Sequence, residues 1–257
     1  MAGERYARRG KRGSGPDPGR RVRAQVAAIA VVAGNDLLGY CLGRRAASAA
    51  VRSGAAVAVL AIAYGAGTSR AELGLGRNEL SSGVRTGAVA GACAAGAVFA
   101  GAALPGTRSL FLDERAVAAD RSGGLAAELV RITLAAVPAE ELTYRSALLG
   151  LRLGNGGRRS AVAWSSVLFG LSHVLPTLSS MSRTALSGHL AQRPLRQAAF
   201  VGGNVAVTGL AGAVFAWLRL RSGSVVAPLL AHAALNDAAL LASRLAHASA
   251  THRRSVA

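Results

Sequence analysis

Apolar positions along this chain come in long continuous runs, and the polar residues gather in short breaks between them. A helix that crosses the hydrocarbon core of a bilayer needs about 20 mostly apolar residues. Seven stretches meet or approach that length: 24–42, 46–66, 84–105, 125–150, 160–178, 197–218 and 224–243. The pattern predicts an all-α fold, a polytopic transmembrane helical bundle of about seven spans, with room for an eighth in a short or re-entrant piece. Arg44-Arg45 reads as a tight turn, Arg70–Arg77 as an interfacial polar segment and Arg108–Arg121 as a polar connection. Gly154–Arg159 reads as a turn and Met181–Arg196 as a longer loop. In the third stretch Gly83, Gly87 and Gly91 recur every four residues, which predicts close packing of that helix on a neighbour.

Composition strengthens this picture. The chain is 51% hydrophobic and only 16% charged. A disordered protein would be far less hydrophobic, and a soluble domain carries about a quarter charged residues. The formal net charge of +18 raises the question of nucleic acid. Aromatics are 4% of the chain, and most arginines stand in the tails or at the ends of apolar runs, so lipid headgroups are the expected partner and nucleic acid is not. Residues 1–23, rich in Arg, Gly and Pro, read as a basic disordered tail, 24–245 as the transmembrane domain and 246–257 as a basic carboxyl-terminal tail. The basic tail places the amino terminus in the cytoplasm. An Arg-, Ala- and Gly-rich chain whose only lysine is Lys11 suggests a bacterial cell membrane. Cys41 and Cys93 lack the spacing of disulfide or metal frameworks and read as buried apolar residues. Trp164 and Trp217, near span ends, read as interface anchors.

An ionisable side chain at mid-membrane costs about 2.5 to 3.5 kcal/mol, so each one inside a span is a functional suspect. The expected spans hold Asp36, Glu140, Glu141, Arg145, His173, His232 and Asp237, with Asn35, Asn204 and Asn236 as polar neighbours. Arg52, Arg85, Glu128 and Arg131 lie close enough to span ends to reach the interface, and Asp237 reads as a helix-end polar residue or as a residue that orients Asn236 beside it. His189, His247 and His252 fall in the loop and the basic tail, where solvation is the simpler role.

Three clusters stand out in the second half. Glu141 and Arg145 are one helical turn apart and can pair, while Glu140 points about 100° away and is left for another task. His173 closes Phe169-Gly170-Leu171-Ser172-His173, and His232 and Asn236 share one face of a later span. With alternating spans, Glu140 lies about 22 Å, His232 about 16 Å and His173 about 8 Å from the outer edge. A carboxylate with a histidine can deprotonate a water for attack on a carbonyl, and a second histidine with an amide can donate to the oxyanion. The same groups could instead hold a metal, although no HExxH occurs. A polytopic transporter or proton relay using buried Glu and His, or a non-proteolytic immunity or scaffold protein, is the alternative class; a transporter would more naturally show inverted repeats.

At these clusters the sequence resembles the CPBP family of intramembrane endopeptidases, the CAAX prenyl protease type II, bacteriocin-processing and abortive-infection-like group. The family pattern reads here as Glu140-Glu141-x-x-x-Arg145, Phe169-x-x-x-His173 and His232-x-x-x-Asn236, over about 125–240. The resemblance implies that Glu140 and His173 activate water, that His232 and Asn236 stabilise the oxyanion, and that Glu141 and Arg145 organise the site, with Arg145 also a contact for a substrate carboxyl end. The group carries a metalloprotease name but a mechanism that looks metal-independent, so a divalent metal such as zinc stays open. The implied partners are the bilayer and a membrane-associated protein or peptide, a leader peptide or membrane-protein tail as readily as a prenylated one.

Overall fold

A computed structural model describes residues 18–42, 45–111, 124–181 and 193–256. Arg44, the connection 112–123 and the loop 182–192 with His189 lie outside the described residues, as do 1–17 of the tail. The helices are α1 (Pro18–Leu42), α2 (Arg45–Gly65), the short α3 (Arg70–Leu73), α4 (Leu80–Ala103), α5 (Gly124–Arg131), α6 (Val137–Glu141), α7 (Leu149–Leu171), α8 (Val174–Met181), α9 (Pro194–Ser222) and α10 (Val226–Val256). No strand occurs among the described residues. Proline is favoured in a first helical turn, and α1 accordingly starts at Pro18, inside the tail expected to end at residue 23. At the other end α10 runs to Val256, because no Gly or Pro interrupts 246–256.

Among the described residues, five helices are long and apolar enough to cross a membrane: Gly19–Cys41, Arg70–Ala103, Gly124–Ser179, Pro194–Ser222 and Val226–Ser249. The difference from seven arises at two places. Ala49–Gly65 is apolar but shorter. The stretches expected at 125–150 and 160–178 belong to one 56-residue helical run. That run is broken at Gly157, whose φ of 72° and ψ of 170° are open to glycine and strained for other residues.

Small residues set the closest contact in the bundle. α4 packs along α10, and a Cβ added at Gly87 would meet Ala227 O at 2.7 Å and Leu230 Cβ at 3.0 Å. Gly83 lies as tightly against Ser224 and Gly91 against Ala234. Burial in lipid gives helices no hydrophobic reason to associate, so this backbone proximity is what holds the pair.

The polar segment between α2 and α4 is anchored rather than loose. Ser69 and Glu72 cap α3 reciprocally, Glu72 pairs with Arg21 of α1 at 3.0 Å, and the buried Arg219 of α9 donates to Ala71 O and Glu72 O at 3.0 and 2.7 Å. A core of Ala28, Val59, Ala63, Leu73, Leu148, Leu151 and Phe169 then joins α1, α2, α3 and α7. Cys41 and Cys93 are exposed on the outer helix faces, contrary to the buried position expected of them, because nothing packs over those faces among the described residues. Trp164 and Trp217 are also partly exposed, with Arg152 and Arg221 over their rings at 5.8 and 5.6 Å.

Candidate active site

The Glu140-Glu141 pair sits where the backbone departs from regular α-helix. Pro138 lies in the first turn of α6, and the flanking segments Ile132–Ala136 and Leu142–Leu148 are π-helical. Proline has no N–H to give the preceding turn, and a widened turn absorbs the lost bond. Such turns leave carbonyls in need of partners, and here Ser165 Oγ donates to Tyr144 O at 2.8 Å.

Glu141 and Arg145 point into the bundle and are both 0% exposed. Their ion pair spans 3.2 Å without hydrogen-bond alignment. The guanidinium instead lies over the Phe169 ring at 3.9 Å and near Phe215 at 5.2 Å, in space that Gly212 leaves open. A guanidinium gains from an aromatic face most when it is out of water. Being enclosed, Arg145 cannot contact a substrate carboxyl end without the bundle opening.

His232 connects the two acids. Its Nδ1–H donates to Glu141 Oε1 at 2.9 Å, its Nε2 is 3.8 Å from Glu140 Oε2, and its ring stacks on Phe215 at 4.7 Å. An ionised carboxylate only accepts, so Nδ1 carries the proton, and Nε2 can donate only when both nitrogens are protonated. His173 lies just beyond the end of α7. Its Nδ1–H donates to Phe169 O at 2.8 Å, which in the neutral ring leaves Nε2 with a lone pair able to take a proton. Phe169 lies edge-on to both histidines, with centroids 4.7 Å from His173 and 6.0 Å from His232.

Glu140, 21% exposed at its side chain, faces a cavity of about 100 Å³. His173, Tyr144, Thr143, Ser172, Asn35, Asp36 and Arg52 line it with Glu140. The acid and the histidine expected to activate water therefore share one wall-lined space. Glu141, Arg145 and His232 stand behind that wall. Asn236 is half-buried one turn after His232 and does not line the cavity. Arg52 was expected at the interface; it turns inward instead, with Nη1 3.5 Å from Glu140 Oε1. Asp237 is mid-helix in α10, not at a helix end, and accepts from Thr133 Oγ1 at 2.9 Å. The polar character of Asn35, Asp36 and Arg52 was visible in the sequence; their convergence on Glu140 was not, because no short spacing links them.

Among the described residues no three His, Cys, Asp or Glu side chains come together in a way that could hold an ion.

Apolar helices enclose one buried and one half-buried acid, a buried arginine and two histidines beside a polar cavity, a set of groups able to exchange protons. Residues 122–237 match the family model described as Type II CAAX prenyl endopeptidase Rce1-like. This region is similar to the CPBP family of intramembrane endopeptidases, and the apolar helices around it fit an enzyme of that type embedded in a membrane. No curated protein matches the chain, and no solved structure does.

Proposed function

We propose that the protein hydrolyses peptide bonds of membrane-associated proteins or peptides, with a water activated by Glu140 and His173. The observation that carries this reading is that both residues line one cavity, with His173 holding its Nδ1 proton on Phe169 O and its Nε2 lone pair unspent. In the proposed reaction a water between them loses a proton to Glu140 or His173 Nε2 as its oxygen attacks the scissile carbonyl carbon. The tetrahedral oxyanion forms on the side of Glu140 that faces His232, whose Nε2 stands 3.8 Å from Glu140 Oε2 and donates to the oxyanion once that ring carries both protons. Asn236, one turn on and outside the cavity lining, joins it only by turning its amide inward. On collapse the carbon–nitrogen bond breaks, and the proton taken from water passes to the leaving amine. Glu141, held by Arg145, fixes the His232 ring by accepting its Nδ1–H.

The chain crosses the bilayer seven times on this reading, with Gly157 dividing the long run into two antiparallel crossings and α2 as a short one. Its setting is a bacterial cell membrane with the basic tail in the cytoplasm. The substrate is a leader peptide, a membrane-protein tail or a prenylated carboxyl terminus.

The test is a mass-spectrometric comparison of new peptide termini in host membranes carrying wild type or Glu140→Gln at matched levels. A defined set of termini present only with wild type is the expected result. Identical sets of termini, with the variant folded, would show that the site does not hydrolyse peptides.

A further inference from the structure

Arg52 lies outside the region that matches the family, on a helix of the first half, yet its guanidinium is the only cationic group among the residues that line the Glu140 cavity. Its side chain is 36% exposed, and Nη1 stands 3.5 Å from Glu140 Oε1. The other oxygen, Oε2, faces His232 Nε2 at 3.8 Å. The carboxylate is thus suspended between α2 on one side and α10 on the other, with one oxygen assigned to each. Asp36 of α1 lines the same cavity, accepts from Asn35 Nδ2 at 3.1 Å and lies within electrostatic reach of Arg52, Glu140 and His173.

We propose that Arg52 is a positioning residue for Glu140, and that Asp36 in turn steadies Arg52. A glutamate has three rotatable side-chain bonds, and a general base works only when its oxygen points at the water it deprotonates. One fixed cation on the cavity wall selects one carboxylate orientation. Asp36 gives the guanidinium a second anion, so the arginine need not leave the wall for the membrane interface. The amino-terminal helices therefore complete a site whose recognised motifs all lie in the second half. This assignment rests on the proteolytic reading of Glu140.

The experiment uses the full-length protein in detergent micelles and an internally quenched, S-farnesylated CAAX peptide as probe. Misplacing a catalytic group by about 1 Å costs on the order of 100-fold in rate, so Arg52→Gln should lower kcat about 10- to 100-fold with KM within about twofold. Arg52→Lys should restore most of that loss, because it returns a cation to the same wall, and Asp36→Asn should lower kcat by less than Arg52→Gln does. Thermal midpoints of the variants should stay close to that of wild type. An unchanged kcat in Arg52→Gln, a loss confined to KM, or a loss that follows the thermal midpoint without rescue by lysine overturns the proposal. If wild type leaves the peptide uncut, carbodiimide labelling of Glu140, read by peptide mass spectrometry, decides the matter separately. A change in labelling of more than about threefold in Arg52→Gln supports the placement, and equal labelling overturns it, whatever becomes of the proteolytic reading.

Discussion

A carboxylate and a guanidinium that are both fully enclosed, as Glu141 and Arg145 are, depend on each other and on the rings around them to remain in the bundle. Deleting one partner leaves an uncompensated charge, which costs about 3 to 5 kcal/mol, whereas an apolar replacement of both is often close to neutral. Arg145→Leu should accordingly lower the thermal midpoint of the detergent-solubilised protein well below that of the double variant Glu141→Gln, Arg145→Leu. Strictly additive losses in that double-variant comparison would mean that the two residues do not interact. His232 should feel the same change: its ring keeps the Phe215 stack but loses the carboxylate charge behind it, so Glu141→Gln should reduce activity as well as the thermal midpoint. The i,i+4 spacing of Glu141 and Arg145 made their pairing legible in the sequence. The enclosure of Arg145 by Phe169 and Phe215 was not legible, since those aromatics come from α7 and α9.

Among the elements, α4 and α10 owe their contact to backbone proximity at Gly83, Gly87 and Gly91. A side chain at Gly87 forces the helices apart; overpacking of this kind costs about 1 to 3 kcal/mol. Gly87→Leu should therefore lower the thermal midpoint, and Gly96→Leu on the same helix, where nothing lies within 4 Å, should leave it nearly unchanged. Equal behaviour of the two variants would remove the packing role from the glycine stripe. The stripe could be read from its four-residue period, but its partner could not, because any helix with small residues on one face would serve. The π-helical segments around α6 escaped the sequence as well. Pro138 signals a disturbance, yet whether the backbone kinks or widens depends on what fills the space beside it.

For the molecule as a whole, a single rod of 56 residues would be about 84 Å long, far more than a bilayer is thick. On the proposed seven-crossing arrangement, the break at Gly157 returns the chain across the membrane. In a cysteine-free background, Arg77→Cys and Arg158→Cys should react with an impermeant maleimide from one side of the membrane, and Arg193→Cys from the other. Labelling of Arg158→Cys and Arg193→Cys from the same side would overturn the seven-crossing arrangement. Hydropathy alone located the apolar segments, since the cost of exposing a backbone or a charge to lipid is paid residue by residue and leaves its mark along the chain. The three clusters of polar residues were likewise written in short spacings within single helices. Which residues share the cavity was decided by the bundle: Asn35, Asp36 and Arg52 join Glu140 from helices 88 to 105 positions earlier in the chain. A local spacing reports which residues share a helix face; only the packing of several helices decides which faces meet.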